Sequence, residues 1–279
     1  MDREEKKAKA MGVQHTLSTK RQEMEETHRM YFIIGVLIMD ASTIAAANVE
    51  LLRKNLYPGR GLIIGRSSVE DAWLLIYWIM GRSAGSRNRK FVVDDTAVRT
   101  EPIDIRQMDN PELLIYDAML ELPNVYLVSN GDQTRTIYDA LLTDSTFTAA
   151  LEKREREPDA PHYTPRISGM LDLREHQERV TLSILKANQA DPALTDRFIY
   201  YLARPPRGYG FGLTTYQGDG NPLPSFRGDP LFLPCTGSIE EVLNAYWAIL
   251  NAENRVSIVV KRISSQDGAS KVLARNRFA

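Results

Sequence analysis

Short apolar, β-branched runs separated by polar turns recur along most of this chain, and that rhythm limits the fold more than any single motif does. Leu62–Gly65 and Ala72–Met80 read as two strands joined by the polar turn 66–71. Phe91–Val93, Leu113–Tyr116 and Val125–Val128 read as three more. Further along come Arg166–Leu173, Arg179–Leu185, Arg197–Leu202, Gly210–Tyr216 and Arg255–Ile263. Helical spacing occurs at Ile44–Asn55, with Ile44, Val49, Leu51 and Leu52 as apolar contacts, and again at Thr134–Leu142 and Phe147–Arg156. A last helix, Ile239–Leu250, follows an N-cap at Ser238. A doubly wound parallel sheet needs a helix after nearly every strand, and this pattern lacks them. The expected fold is therefore α+β: mainly antiparallel sheets stacked in a four-layer α-β-β-α sandwich.

With 279 residues and 43% hydrophobic content, the chain suffices for one large domain. Residues 1–40 are highly charged without a sustained apolar face and are expected to be a poorly ordered extension. Residues 41–263 are expected to form a single catalytic domain, and 264–279 a short basic tail. Basic and acidic residues nearly cancel, 35 against 36, so total charge gives no reason to expect nucleic acid as a partner. Cys235 is the sole cysteine, which rules out an intramolecular disulfide and cysteine-based zinc sites and suits a cytoplasmic protein. His15, His28, His162 and His176 show no metal-site spacing, and no metal is expected. Tyr31–Met39 is too short to cross a bilayer, so no membrane partner is expected, and oligomeric state is left open.

Three polar clusters follow regular elements. Gly81-Arg-Ser-Ala-Gly-Ser-Arg-Asn-Arg89 carries three guanidinium groups, two hydroxyls and two glycines directly after an apolar strand. Fork-shaped donors on a closely approachable backbone suit a phosphate or another compact anion, although an isolated cluster of this kind also fits a solvated basic turn. Asn130-Gly-Asp-Gln-Thr134 follows Val125–Val128, and Glu157-Pro-Asp-Ala-Pro-His-Tyr-Thr-Pro-Arg166 separates a helix from a strand. One fold can bring all three to a single pocket.

Together these residues resemble the IMP cyclohydrolase family of the archaeal type and its bacterial relatives. The resemblance lies in Tyr57-Pro-Gly-Arg-Gly-Leu-Ile-Ile-Gly65, Ile79-Met-Gly-Arg-Ser83 with Ser86-Arg-Asn-Arg89, Asn130-Gly-Asp-Gln-Thr134, Glu157-Pro-Asp-Ala-Pro161 with Tyr163-Thr-Pro-Arg-Ile167, and Asp219-Gly-Asn-Pro222. It implies a fold like that of the N-terminal-nucleophile hydrolases, without their nucleophile. It also implies closure of the purine ring of the formamido-carboxamide ribonucleotide FAICAR to IMP and water, the last step of purine synthesis, with no cofactor and a purine ribonucleotide as the small-molecule partner.

Within that chemistry, Arg82, Ser83, Arg87, Asn88 and Arg89 are the candidates for the phosphate, with Arg89 alternatively stabilising a developing oxyanion. Glu157 is the candidate general acid/base, its pKa raised by partial desolvation; without the resemblance it reads as a surface acid at a helix end. Tyr116 can present its phenol to the reacting amide or equally be a core tyrosine with a satisfied hydroxyl. Asn130, Asp132 and Thr134 are candidates for ribose or base, with helix capping by Asp132 and Thr134 as the alternative. Tyr163 and Arg166 bracket a constrained turn that can aim them inward, while Asp219 and Asn221 form a turn first and a ligand site second. Cys235 reads as an inert buried thiol, and Tyr200, Tyr201 and Tyr216 as builders of core and rim. Two other classes fit the same arginines: a noncatalytic nucleotide-binding or regulatory protein, and an RNA-binding module.

Overall fold

The computed structural model describes residues 40–107, 114–174 and 178–278. The expectation for the N-terminal extension therefore lies outside the described residues, apart from Asp40. Contacts divide the chain at residue 41, and Ser42–Ala279 forms one compact unit.

That unit is α+β, with two antiparallel sheets and few helices. In chain order its elements are α1 (Ala41–Lys54), β1 (Gly61–Arg66), β2 (Ala72–Met80), α2 (Ala84–Arg87), β3 (Lys90–Asp94), β4 (Ala97–Glu101), β5 (Asp117–Leu122) and β6 (Val125–Ser129). There follow α3 (Gln133–Leu142), α4 (Phe147–Glu152), β7 (Arg166–Asp172), β8 (Arg179–Ala187), β9 (Thr195–Leu202) and β10 (Tyr209–Thr214). The last are β11 (Leu231–Pro234), α5 (Ile239–Ile249), β12 (Arg255–Ser264) and β13 (Ser270–Asn276). One sheet runs β11-β10-β1-β2-β12-β13 and the other β3-β4-β5-β6-β7-β8-β9.

Strand β2 explains why the first sheet needs cover on both faces. All nine of its residues are buried, and successive side chains point to opposite sides. Trp73, Leu75, Tyr77 and Ile79 join Tyr126, Val128, Ile167 and Leu182 of the second sheet in one core cluster. Leu74, Ile76, Trp78 and Met80 meet Leu52 of α1 and Val242, Leu243 and Tyr246 of α5 in another. A third cluster joins Leu127 and Met170 of the second sheet to Ile137 of α3 and Phe147 of α4. An unbroken apolar run on an antiparallel strand is thus satisfied by a sheet on one face and helices on the other.

Several sequence expectations need correction. Leu113–Tyr116 is not a strand in its described part: Leu114 is helical, Ile115 and Tyr116 are irregular, and pairing begins at Asp117. The segment expected as a basic tail supplies β13, whose seven residues pair along β12 from Ser257↔Asn276 to Ile263↔Ser270. Helix α4 stops at Glu152, short of Arg156, and Arg197 binds the released carbonyls of Leu151 and Arg154. Leu51 of α1 is 61% exposed, while Ala45 takes a buried position in its place. Strands β4 and β11 were not expected. β4 forms a hairpin with β3 through Asp95, whose φ of 53° is left-handed. Ser238 does cap α5, in a reciprocal arrangement with Glu241.

Two polar features tie the sheets together. Lys261 of β12 is 1% exposed; its Nζ donates to Thr96 O at 2.9 Å and to the Glu121 carboxylate, beside the Tyr126 ring. At one edge, Asn276 Oδ1 accepts from Phe91 N at 2.9 Å and its Nδ2 donates to Phe91 O at 3.0 Å, joining β13 to β3.

Candidate active site

Antiparallel order places the start of β1, the end of β2 and the end of β10 side by side, since Gly61 pairs with both Trp78 and Thr214. The loops leaving these strands, with the segment entering β7, enclose a cavity of about 390 Å³. Its lining includes Tyr57, Gly59, Arg60, Arg82, Ser83, Ser86, Arg89, Leu114, Glu157, Asp159, His162, Thr164, Tyr216 and Leu223.

The buried wall is built on Arg60, delivered by Pro58-Gly-Arg-Gly61. Gly59 has φ of +72°, and a Cβ there would collide with Thr215 and Tyr216. At Gly61 a Cβ would strike the Trp78 indole. Between them Arg60 turns inward, and its Nη2 lies 3.0 Å from both carboxylate oxygens of Glu157. Glu157 is only 3% exposed. Burial raises its pKa against the opposing pull of Arg60 and Arg166, and Asp159 adds to the rise. The expected raised pKa is thus matched in direction, with an ion-pair partner that the sequence reading missed.

Arg89, 4% exposed, donates from Nε to Ser86 O at 3.1 Å and from Nη2 to Met80 O at 3.4 Å. Its Nη1 is buried with no hydrogen-bond partner among the described residues. Two bonds thus fix the guanidinium to the backbone while one buried nitrogen is left without a protein acceptor among the described residues. Arg82 stands more exposed, stacked over the Tyr57 ring and paired with Asp219; it also reaches Gly220 O at 3.2 Å. Ser83 and Ser86 bond reciprocally as a capping box.

Tyr77 and Tyr116 share a hydrogen bond of 2.7 Å between their hydroxyls. Burial pushes the Tyr77 phenol well above its ordinary pKa. Tyr116 thus has a satisfied hydroxyl and does not itself line the cavity. On the opposite wall, Tyr216 OH lies 2.5 Å from Thr164 Oγ1, which in turn bonds the Asp159 carboxylate. The ring nitrogen Nδ1 of His162 accepts Leu223 N–H at 3.2 Å.

Of the residues singled out from sequence, the structure brings Arg82, Ser83, Arg89 and Glu157 to the cavity lining. The others lie behind or beside it. Arg87 binds Gly81 O and Asn254, and Asn88 holds the backbone of Ile103 and Asp104. Asn130 braces Pro165 and Ile167, and Arg166 donates to Asp132 and Gln133. Asp132 occupies the N-cap position of α3 without a side-chain capping bond, and Thr134 bonds Gly131 O. Tyr163, at φ 43°, packs under Arg156, and Asp219 holds Arg82 as described; Asn221 precedes Pro222 in the same loop. These contacts fix the loops that carry the lining residues.

Tyr57, Arg60, Asp159, His162, Thr164 and Tyr216 were missed as site residues. Arg60 lay within a quoted motif, where an arginine flanked by glycines at a strand start was the available signal. Cys235 is buried outside the lining, its thiol pushed up to about 12 by burial. Among the described residues, no group of three or more His, Cys, Asp and Glu is gathered for a metal ion. No described helix is long and apolar enough to cross a membrane.

The cavity thus combines guanidinium donors fixed by the backbone or by acids with a desolvated carboxylate, the kind of group whose pKa environment suits proton exchange. The chain belongs to the IMP cyclohydrolase-like protein family, whose model matches residues 57–268. A search of curated proteins returned no match.

Proposed function

We propose that this protein is an IMP cyclohydrolase, closing the purine ring of FAICAR to give IMP and water in the cytoplasmic synthesis of purines. Family membership supports the reaction class. The observation that carries the reading is the buried Arg60–Glu157 pair in the same cavity as the unpartnered Nη1 of Arg89. We also assign the fold to the four-layer arrangement of the N-terminal-nucleophile hydrolases, on the strength of sheets that share one core and carry helices on their other faces.

In the reaction the carboxamide nitrogen attacks the formyl carbon of the same molecule, and a C–N bond forms. The formyl oxygen leaves as water, taking one hydrogen from each of the two nitrogens. The step is redox-neutral, and a cavity that holds the two arms together supplies much of the acceleration through proximity. Glu157 takes the proton from the attacking nitrogen and returns it to the departing oxygen, while Arg60 orients the carboxylate. Arg89 Nη1 donates to the oxygen as negative charge develops there. Arg82, with the Ser83 and Ser86 hydroxyls, receives the phosphate near the mouth. Arg87, Asn88, Asn130, Asp132, Thr134, Tyr163, Arg166, Asn221 and Tyr116 act in this scheme by holding the lining in place.

Purified full-length protein supplied with FAICAR is expected to generate the absorbance change of IMP formation. Saturable binding of FAICAR without product would replace this reading with a noncatalytic nucleotide-binding protein.

A further inference from the structure

The hydrogen bonds on the Tyr216 wall have only one consistent direction. Thr164 N donates to Asp159 Oδ1 at 2.7 Å, and Thr164 Oγ1 bonds the other oxygen of the same carboxylate. An ionised carboxylate can only accept, so the single hydroxyl hydrogen of Thr164 is committed to Asp159. Thr164 Oγ1 must then accept from Tyr216, whose hydroxyl oxygen is 2.5 Å away. The one phenolic hydrogen of Tyr216 is thereby used up. Burial, the largest influence, raises the pKa of this phenol, so it keeps its hydrogen at neutral pH. Stacking of its ring on Tyr57, with centroids 5.9 Å apart, fixes the phenol in place. All three residues of the chain line the cavity, and a phenol whose hydrogen is committed has only lone pairs left for a ligand that reaches it.

We propose that Tyr216 is a specificity-determining residue that accepts a hydrogen bond from the ring-forming amide nitrogen of the ligand. This rests on the cyclohydrolase reading above. The attacking carboxamide nitrogen carries two hydrogens, loses one, and keeps the other as the N1–H of the hypoxanthine ring. Glu157, one of the charged groups acting on the Tyr216 phenol, takes the first hydrogen in that scheme. Tyr216 accepts the second, throughout the reaction, and aims the nitrogen lone pair at the formyl carbon. A purine whose N1 is a bare acceptor would instead place two lone pairs against each other, an arrangement that a site built around a hydrogen bond rejects strongly.

The test compares IMP, which presents N1–H, with AMP, which presents an unprotonated N1, by calorimetry on the full-length protein. The wild type is expected to prefer IMP by about ten- to hundred-fold, the size of one buried hydrogen bond made or left unmade. Thr164→Val keeps the side-chain shape but frees the phenol to rotate and donate, so the preference should shrink to within a few-fold. Tyr216→Phe retains the stacked ring and should lose the preference through weaker IMP binding. An unchanged IMP-to-AMP ratio in both variants overturns the role of Tyr216 while leaving the cyclohydrolase reading intact. A wild type that binds neither nucleotide and forms no IMP from FAICAR overturns both.

Discussion

Arg60 and Glu157 lie 97 positions apart in the chain, yet the guanidinium of one sits 3.0 Å from both carboxylate oxygens of the other, in a wall that solvent scarcely reaches. The pair couples a proton-exchanging acid to a permanent positive charge. A buried pair of this kind is costly to desolvate and adds little net stability, so its presence inside a cavity points to chemistry.

Glu157→Gln keeps the shape and a hydrogen bond to Arg60 but removes the exchangeable proton. Turnover is expected to fall by about 10²–10⁴-fold, with KM for FAICAR within a few-fold of wild type. Steady-state kinetics measures both, and unchanged kcat would remove Glu157 from the proton transfer.

The pH profile should show which charge sets the working range of Glu157. Burial raises its pKa and Arg60 opposes the rise, so activity requiring the carboxylate is present above this raised value and lost as pH falls through it. Arg60→Met removes the opposing charge, and the acid limb of kcat/KM should move to higher pH. For stability the sign is the reverse. A folded-state pKa above the unfolded one contributes stability that is complete below about 4.3, the ordinary glutamate value, and is lost as pH rises through the raised one.

Arg82 is more exposed than Arg89 and is engaged by Asp219. Arg82→Ala should raise KM and the IMP dissociation constant by about ten-fold or more, the loss of one charge-assisted contact, with kcat little changed. A fall confined to kcat would instead place Arg82 at the reacting atoms.

Outside the cavity lining, Lys261 pairs with the carboxylate of Glu121. Glu121→Ala should destabilise the fold by about 3–5 kcal/mol in chemical denaturation, because the ammonium stays buried without its countercharge, keeping only the Thr96 carbonyl and the Tyr126 ring. Replacing both residues with apolar ones of similar volume should recover most of that loss. Equal losses in the single and double variants would show that packing, not charge, dominates there.

How much of this was legible in the sequence depended on whether a residue's role is local. Strand β2 could be read because a continuous apolar run needs cover on both faces, and α5 because its cap and capping partner are three residues apart. Strands β4 and β13 were missed: each carries charged residues along an edge or half-exposed face, where cross-strand pairing decides the outcome rather than side-chain pattern. Within the site, the basic loop stood out through its composition, and Glu157 through the family resemblance. Tyr216 did not, because an acceptor-only phenol follows from Thr164 and Asp159, which are remote in sequence and ordinary in type. Asn130 and Arg166 caught attention for the right chemistry, yet their hydrogen bonds go to protein atoms and fasten the start of β7.

The cavity is walled by segments drawn from Tyr57 to Leu223, so no short stretch of the chain contains it. A guest molecule touching every wall would act as a keystone, since unfolding either sheet would evict it. At a concentration one hundred times its dissociation constant, such a guest would add about 2.7 kcal/mol of resistance to melting. Sheltering the protein against heat is thus a property that a ligand filling this cavity would confer.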